Sequence, residues 1–453
     1  MTPRRDPRKI ALSILNRLDS GRKTLDDLME EADARTPLGK KDRALLNALV
    51  LGTTRWRGRL DAALVCLSNI PLEKIDPRVL NALRMGLFQV QRMDKTPVSA
   101  AVNTSVDLVK TFSGPWVAKF VNAVLRNAAR AGADEDIFPD FQTDPAGALA
   151  ARKSFPKWLI RRWLDRMGPQ KTAALCDAMN QIPPLTLRVN TLATDRDALI
   201  RALESRGFFG EKTRFSPDGV TVRGAGRDLF KSPEFQNGWF QVQDEAAQLV
   251  SYMLSPDPGR IILDACAGLG GKTGHLSQLT RNQGALWAMD KSEKKLAKLT
   301  VEMKRLGAGP VRTVRRDLSR KIQGMGAFDA ILADAPCSGL GVLRRNPDAK
   351  WSASPDKIKK SAIRQRLFLK NLSGRVKPGG RLAYAACSME PEENEEIVEA
   401  FLAENPGFTV DTDPPGLPEK ARALLSASGF LKTSPSPHDM DGFFAVCFQK
   451  TGN

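Results

Sequence analysis

Ile261-Ile262-Leu263-Asp264-Ala265-Cys266-Ala267-Gly268-Leu269-Gly270-Gly271-Lys272-Thr273 is a short apolar run that breaks at an aspartate into small residues. Four apolar-to-acidic residues closed by glycines predict a buried strand that turns sharply into a helix opening at about Lys272. Glycines in the turn allow the backbone to approach a ligand closely. Working outward, Ala285–Asp290, Phe328–Asp334 and Gly380–Ala385 repeat the apolar pattern, with helical stretches between them. Such alternation predicts a doubly wound, parallel, Rossmann-like α/β domain.

In a parallel sheet, ligands bind beyond the carboxyl ends of the strands. Three ligands suit a glycine-rich turn there. A phosphate loop needs glycine five positions before Gly271, and Cys266 stands there. A dinucleotide turn needs glycine at 273, which is Thr273. A nucleoside remains. It needs a carboxylate at the second strand end to accept from ribose hydroxyls, and Asp290 is there. Asp317, where a further strand after Val311-Arg312-Thr313-Val314 would end, is placed to hold an adenine amino group.

Residues 8–130 carry apolar positions at three- and four-residue spacing, broken by Pro and Gly, and predict an all-helical domain. Residues 132–145 lack a period and read as a linker. A short helix with Trp158, Ile160, Trp163 and Leu164 follows. Residues 183–240 change character. Leu185–Asn190 alternates like a strand, the run Thr194-Asp195-Arg196-Asp197 is placed to cap a helix that runs to Glu204 and stops at Gly207, and Val220–Gly224 is a second strand. Domains are therefore expected at 1–140, 145–238 and 239–453.

The 453 residues include 69 Lys plus Arg against 51 Asp plus Glu, a net +18 that favours a polyanionic partner, nucleic acid first. No membrane span and no secretory signal are visible, and a cytoplasmic protein is expected. The six cysteines are widely spaced and there are two histidines, so neither a metal site nor a Ser-His-Asp hydrolase is expected. Cys66, Cys176 and Cys447 are read as small buried hydrophobes.

Cys337, in Asp334-Ala335-Pro336-Cys337-Ser338-Gly339, and Cys387, in Ala386-Cys387-Ser388-Met389-Glu390-Pro391, follow strand ends beside the nucleoside turn. Carbon-5 of cytosine is a poor nucleophile. A thiolate that attacks carbon-6 makes it reactive, a carboxylic acid can serve the ring nitrogen, and a second thiol can assist release. Asp334 suits the acid role if burial raises its pKa.

These motifs resemble those of the Sun (Fmu) family of RNA cytosine-5 methyltransferases. The resemblance lies in the 264–273 run, in Asp334 to Trp351, in Ala385 to Asn394 and in Asp441-Gly442-Phe443-Phe444. The helical N-terminus, with Phe120-Val121-Asn122-Ala123-Val124-Leu125-Arg126-Asn127, looks like a NusB-type RNA-binding domain. The resemblance implies a NusB-like all-α domain, a small α/β (RRM-like) middle domain and a Rossmann-like methyltransferase domain. It implies S-adenosylmethionine as cofactor, held by Cys266, Ala267, Gly268, Leu269, Gly270, Gly271, Lys272, Asp290, Asp317 and Asp334. It also implies Cys387 as nucleophile, Cys337 in product release, and RNA, specifically small-subunit ribosomal RNA, as the partner of a monomer. Leu269 stands where the family usually has proline, and Asn346 where histidine is common. Enzymes that methylate DNA use the cysteine of a Pro-Cys pair, which would select Cys337; the Glu-Glu-Asn tail after Cys387 favours the RNA assignment.

Arg344, Arg345, Lys350, Lys357, Lys359 and Lys360 cluster around Trp351 and are expected to face RNA phosphates. The alternatives are a methyltransferase acting on transfer RNA, DNA or protein, and a non-catalytic ribosome assembly factor.

Overall fold

The computed structural model describes residues 6–131, 138–224 and 226–452; part of the expected 132–145 linker lies outside them. The chain forms two compact units, Met1–Gln181 with Leu343–Ser352, and Ile182–Val342 with Ala353–Asn453.

The first unit is helical: α1 Pro7–Leu18, α2 Leu25–Arg35, α3 Lys40–Leu67, α4 Pro77–Arg92, α5 Val98–Lys110, α6 Pro115–Ala131, α7 Pro145–Lys153 and α8 Lys157–Asn180. Local chemistry sets the boundaries. Asp6 caps α1 by accepting from Arg8 N at 2.9 Å, with Pro7 in the first turn. Thr24 and Asp27 form a capping box on α2. Helix α4 is central, with Val79, Ala82, Leu83, Met85 and Leu87 buried, and Arg84 forks onto Asp61 at 2.6 and 2.9 Å. The short helix expected near Trp158 is in fact α8, bent at Gly168 before Pro169.

Residues 343–352 belong to this helical unit. Trp351 Nε1 donates to Thr54 O at 2.7 Å. Lys350 is 1% exposed, donates to Arg55 O at 2.9 Å and lies 4.0 Å over the Phe155 ring. Arg344, also 1% exposed, lends its carbonyl to Arg55 Nη2 at 2.6 Å. The expected phosphate role fails for Arg344 and Lys350, because their charged ends are enclosed in protein; Trp351 is anchored by its indole N–H. Lys357, Lys359 and Lys360 are exposed.

The second unit opens with β1 Leu185–Val189, α9 Arg196–Glu204, β2 Phe209–Lys212, β3 Gly219–Arg223, α10 Pro233–Gln236 and β4 Phe240–Val242. The strands form an antiparallel sheet in the order β2-β3-β1-β4. Asp195 caps α9 through Ala198 N at 2.8 Å, as expected. Then come α11 Glu245–Leu254, β5 Ile261–Asp264, α12 Gly271–Leu279, β6 Ala285–Asp290, α13 Glu293–Leu306, β7 Val311–Arg315 and β8 Phe328–Asp334. After α14 Ala349–Ser352 of the helical unit, the chain returns with α15 Pro355–Ser373, β9 Val376–Ala386, α16 Glu395–Glu404, β10 Phe408–Val410, β11 Leu431–Lys432, α17 Pro435–His438 and β12 Phe444–Lys450.

The large sheet runs β10-β12-β9-β8-β5-β6-β7. Strands β5 to β9 form the expected doubly wound parallel arrangement; β12 then pairs antiparallel with β9, and β10 antiparallel with β12, which makes the whole sheet mixed. The chain runs outward from β5 through β6 to β7, then returns to the other side of β5 as β8. The topological switch point therefore lies between the ends of β5 and β8, at Asp264 and Asp334, where a crevice for ligands is expected.

Candidate active site

The turn after β5 is held tightly. Gly268 N donates to Asp290 Oδ2 at 3.1 Å, and Ser292 N to Asp290 Oδ1 at 2.7 Å. Gly270 adopts φ +89°, and a Cβ there would lie 2.8 Å from Leu299 Cγ, so glycine is required for both conformation and packing. Around Gly268, by contrast, no atom comes closer than 4.0 Å to where a Cβ would stand. Leu269 is 55% exposed, so the absent proline ring removes no buried contact.

Four carboxylates lie at or just beyond the ends of β5 to β8. Asp264 is buried, accepts from Thr273 Oγ1 at 2.7 Å, and its Oδ1 finds no partner among the described residues. Burial pushes its carboxyl up to about 7. Asp334 is not deeply buried. Its side chain keeps 29% exposure and Oδ2 pairs with Lys272 Nζ at 2.5 Å, so the burial on which its acid role was conditioned is absent. Asp290 is half-buried. Burial, then the charges of Asp264, Asp334 and Asp290, push the Cys266 thiol well up. Asp317 is exposed and accepts from Ser319 N at 2.9 Å and Ser319 Oγ at 2.7 Å. The Ser319 hydrogen bonds, then the charges of Lys291 and Arg320, hold its carboxyl below the usual range, and Arg316 N bonds to Asp290 O at 3.1 Å and ties the two strand ends together.

Across the switch point, Cys337 and Cys387 meet. Their sulfurs lie 3.1 Å apart. Strands β8 and β9 pair Asp334 with Ala385, so a loop of three residues beyond one strand meets the first residue beyond the other. The hydrogen bond to Cys387, then burial, push the Cys337 thiol well above its ordinary value. Cys337 is therefore held in its protonated form, and either thiol can donate between the two sulfurs. The remaining cysteines differ: Cys176 and Cys447 are buried as expected, but Cys66 is exposed.

Other side chains fix this geometry. Glu393 is fully buried and accepts from Ser338 N at 2.8 Å and Ser338 Oγ at 2.5 Å, clamping the residue after Cys337. Tyr384 OH donates to Glu393 O at 2.6 Å. Gly341 N donates to Cys387 O at 3.0 Å, and Gly442 N to Gly341 O at 2.8 Å. A Cβ on Gly341 would stand 1.9 Å from Gly442 O, so glycine is required at 341, and a Cβ on Gly442, just before β12, would stand 3.0 Å from Gly341 Cα and Met389 Cγ. Arg188, on β1 and fully buried, donates to Gly271 O at 2.5 Å, Gln278 Oε1 at 2.8 Å and Gln241 Oε1 at 2.9 Å, and also bonds to Gln243. Glu393 and Gly442 lay within motifs already visible; Arg188 carried no signal beyond one basic residue in an alternating strand.

A family model described as "16S rRNA methyltransferase RsmB/F" matches residues 251–449, and models of the NusB family and of the ferredoxin-like domain of RsmF/B-like methyltransferases match 5–130 and 155–227. Ribosomal RNA small subunit methyltransferase B of Pseudomonas putida is 36% identical, covering 89% of this chain and 90% of the relative. Its namesake from Pseudomonas syringae pv. tomato is 35% identical, over 89% and 88%. The chain belongs to the RsmB/F family of rRNA methyltransferases. The crystal structure of PH0851 superposes with a TM-score of 0.79 at 26% identity, covering 98% of this chain and 99% of that one. A methyltransferase homologue from Pyrococcus horikoshii gives 0.58 at 28% identity, over 69% and 100%.

As an RsmB/F protein the chain uses S-adenosylmethionine. The turn fits that cofactor: the open space beside Gly268 would admit a ligand, the half-buried carboxylates of Asp290 and Asp334 would accept from ribose hydroxyls or offset a sulfonium charge, and Asp264 Oδ1 has no hydrogen-bond partner among the described residues. No helix among the described residues is long and apolar enough to cross a membrane.

Proposed function

We propose that the chain methylates carbon-5 of a cytosine in small-subunit ribosomal RNA, with Cys387 as nucleophile. The observation that carries this is the pair of sulfurs 3.1 Å apart at the switch point, beside the Lys272–Asp334 ion pair. Residues 266–272, with Asp290, Asp317 and Asp334, would hold S-adenosylmethionine, which supplies a methyl group activated by its sulfonium. Residues 1–140 and 145–238 would grip RNA, and 239–453 carry the reaction.

Cys387 Sγ attacks carbon-6 of the cytosine and forms a carbon–sulfur bond, while the ring's electrons move toward carbon-5 and the N3 edge. Asp334 relays the proton given up by the Cys387 thiol to N3, and Lys272 balances the carboxylate that remains. Once carbon-5 carries the methyl group, its proton passes to solvent, the carbon-5–carbon-6 double bond re-forms and the carbon–sulfur bond breaks, which releases Cys387 Sγ. Cys337, still protonated, donates its S–H to the departing thiolate and eases its release. The cytosine must leave its stack to reach both sulfurs.

Two variants test the roles. Cys387→Ala should lower methylation of small-subunit RNA by at least ~10³-fold and leave no covalent protein–RNA band on a denaturing gel. Cys337→Ala should accumulate that band. A persistent adduct in Cys387→Ala, with none in Cys337→Ala, would reverse the assignment.

A further inference from the structure

Trp116 is 66% exposed, although burying such a ring stabilises a fold by a few kcal/mol. Its plane lies parallel to that of Phe120, one helical turn on, with centroids 6.1 Å apart. Beside it, α5 and α6 frame a groove of about 460 Å³, floored by Val106 and Ala118 and edged by Lys110, Ser113, Lys119 and Asn122. Trp116, Lys119, Ala123, Arg126 and Arg130 are all exposed, and their spacing of three and four residues puts them on one face of α6. That face is about 21 Å long. The helix, Pro115–Ala131, contains no acidic residue. Lys110 is answered by Asp107 at 2.9 Å, so the cationic surface consists of Lys119, Arg126 and Arg130.

We propose that this face is a single-stranded RNA site, remote in sequence from the reaction centre, in which one base stacks on Trp116 and the following phosphates track Lys119, Arg126 and Arg130. A flat aromatic ring followed by a cationic row is the pattern that binds unpaired bases without sequence preference. An apolar peptide would leave the cationic row unused, and a membrane would need more exposed apolar side chains than one indole. The proposal takes the RNA substrate proposed above as given and adds where a second part of that RNA is held.

The test uses the full chain, a fluorescein-labelled single-stranded oligouridylate, and a small-subunit RNA transcript with methyl-labelled cofactor. Trp116→Ala should weaken oligouridylate binding about 5- to 150-fold, and Trp116→Phe should recover part of the loss. Lys119→Glu should weaken binding and reduce the salt slope by about one. With the transcript, Trp116→Ala should raise KM for RNA and leave kcat unchanged. Unchanged affinity and KM in Trp116→Ala would overturn the proposal, as would loss of binding to a polyglutamate peptide without loss of RNA binding. If the wild-type chain failed to methylate the transcript, the substrate assignment would fall; if it methylated normally while Trp116→Ala behaved identically, only the groove assignment would fall.

Discussion

His275 is fully enclosed on α12, with Nε2 3.3 Å from Asp218 Oδ2 and Tyr252 OH donating to the same carboxylate oxygen at 2.6 Å. Burial, then the charge of Arg188, lowers its pKa to about 4. The unfolded chain therefore binds a proton near 6.5 that the folded chain refuses until about 4, so stability is intact above the unfolded value and falls as pH drops through that window. From pH 7 to pH 5 the loss from this group is about 2 kcal/mol. Denaturant titrations of wild type and His275→Gln at both pH values should show a smaller acid-side loss in the variant; equal slopes would dismiss His275 as the cause. At this scale the sequence was uneven. Cys337, Cys387 and Asp334 stood out because each follows a strand end. Arg188 did not, because alternation with Leu187 and Val189 reads as a solvent-facing position. Its burial depends on Gln241, Gln243 and Gln278, which lie 53 to 90 residues away. Lys350 and Arg344 misled for the same reason: a basic run looks alike whether water or carbonyl oxygens surround it.

Among elements, the meeting of the 337–342 loop with the approach to β12 is the most demanding. Gly341→Ala forces a methyl group toward Gly442 O, and overpacking of this kind costs about 1–3 kcal/mol. Because Gly341 N also supports Cys387 O, the shift should lower kcat at least about tenfold while S-adenosylmethionine affinity holds. Calorimetric titration of cofactor beside single-turnover methylation would check this; equal losses in both would point to global damage. Strand β1 makes the complementary case. Arg188→Lys keeps a cation but loses the planar fork that reaches Gly271 O and three glutamines. Cofactor Kd should rise about tenfold, with kcat at saturating cofactor nearly unchanged. A fall in kcat alone would show that Arg188 does not act through the turn. Elements with caps or long apolar periods, such as α9 and β5 to β8, could be read in advance. The edge strands β2, β10 and β11 could not, since two to four residues carry too little pattern.

For the molecule as a whole, the excess of 18 positive charges is the quantity that reaches outside it. Of the basic residues expected to face RNA, Lys357, Lys359 and Lys360 are exposed, Arg345 is half-buried and is not counted, and the α6 row adds Lys119, Arg126 and Arg130. Six contacts to single-stranded RNA imply a log–log salt slope of about −4. Fluorescence anisotropy at several salt concentrations measures it directly; a slope near zero would argue that charge plays no part in substrate capture. The fold class and domain order were legible because the helical, antiparallel and parallel stretches differ in period. The membership of residues 343–352 was not, because a ten-residue excursion leaves no mark on periodicity.

That excursion limits how the protein can be divided. Cutting the gene after residue 181 would produce a helical fragment missing one of its own pieces, with the carbonyl of Arg55 and the amide of Asn180 left without their lysine. The complementary fragment would carry, thirteen residues beyond Cys337, a lysine side chain built for an interior it no longer has. Neither half is an independent module, and grafting either onto another protein would require moving this ten-residue strap with its hosts.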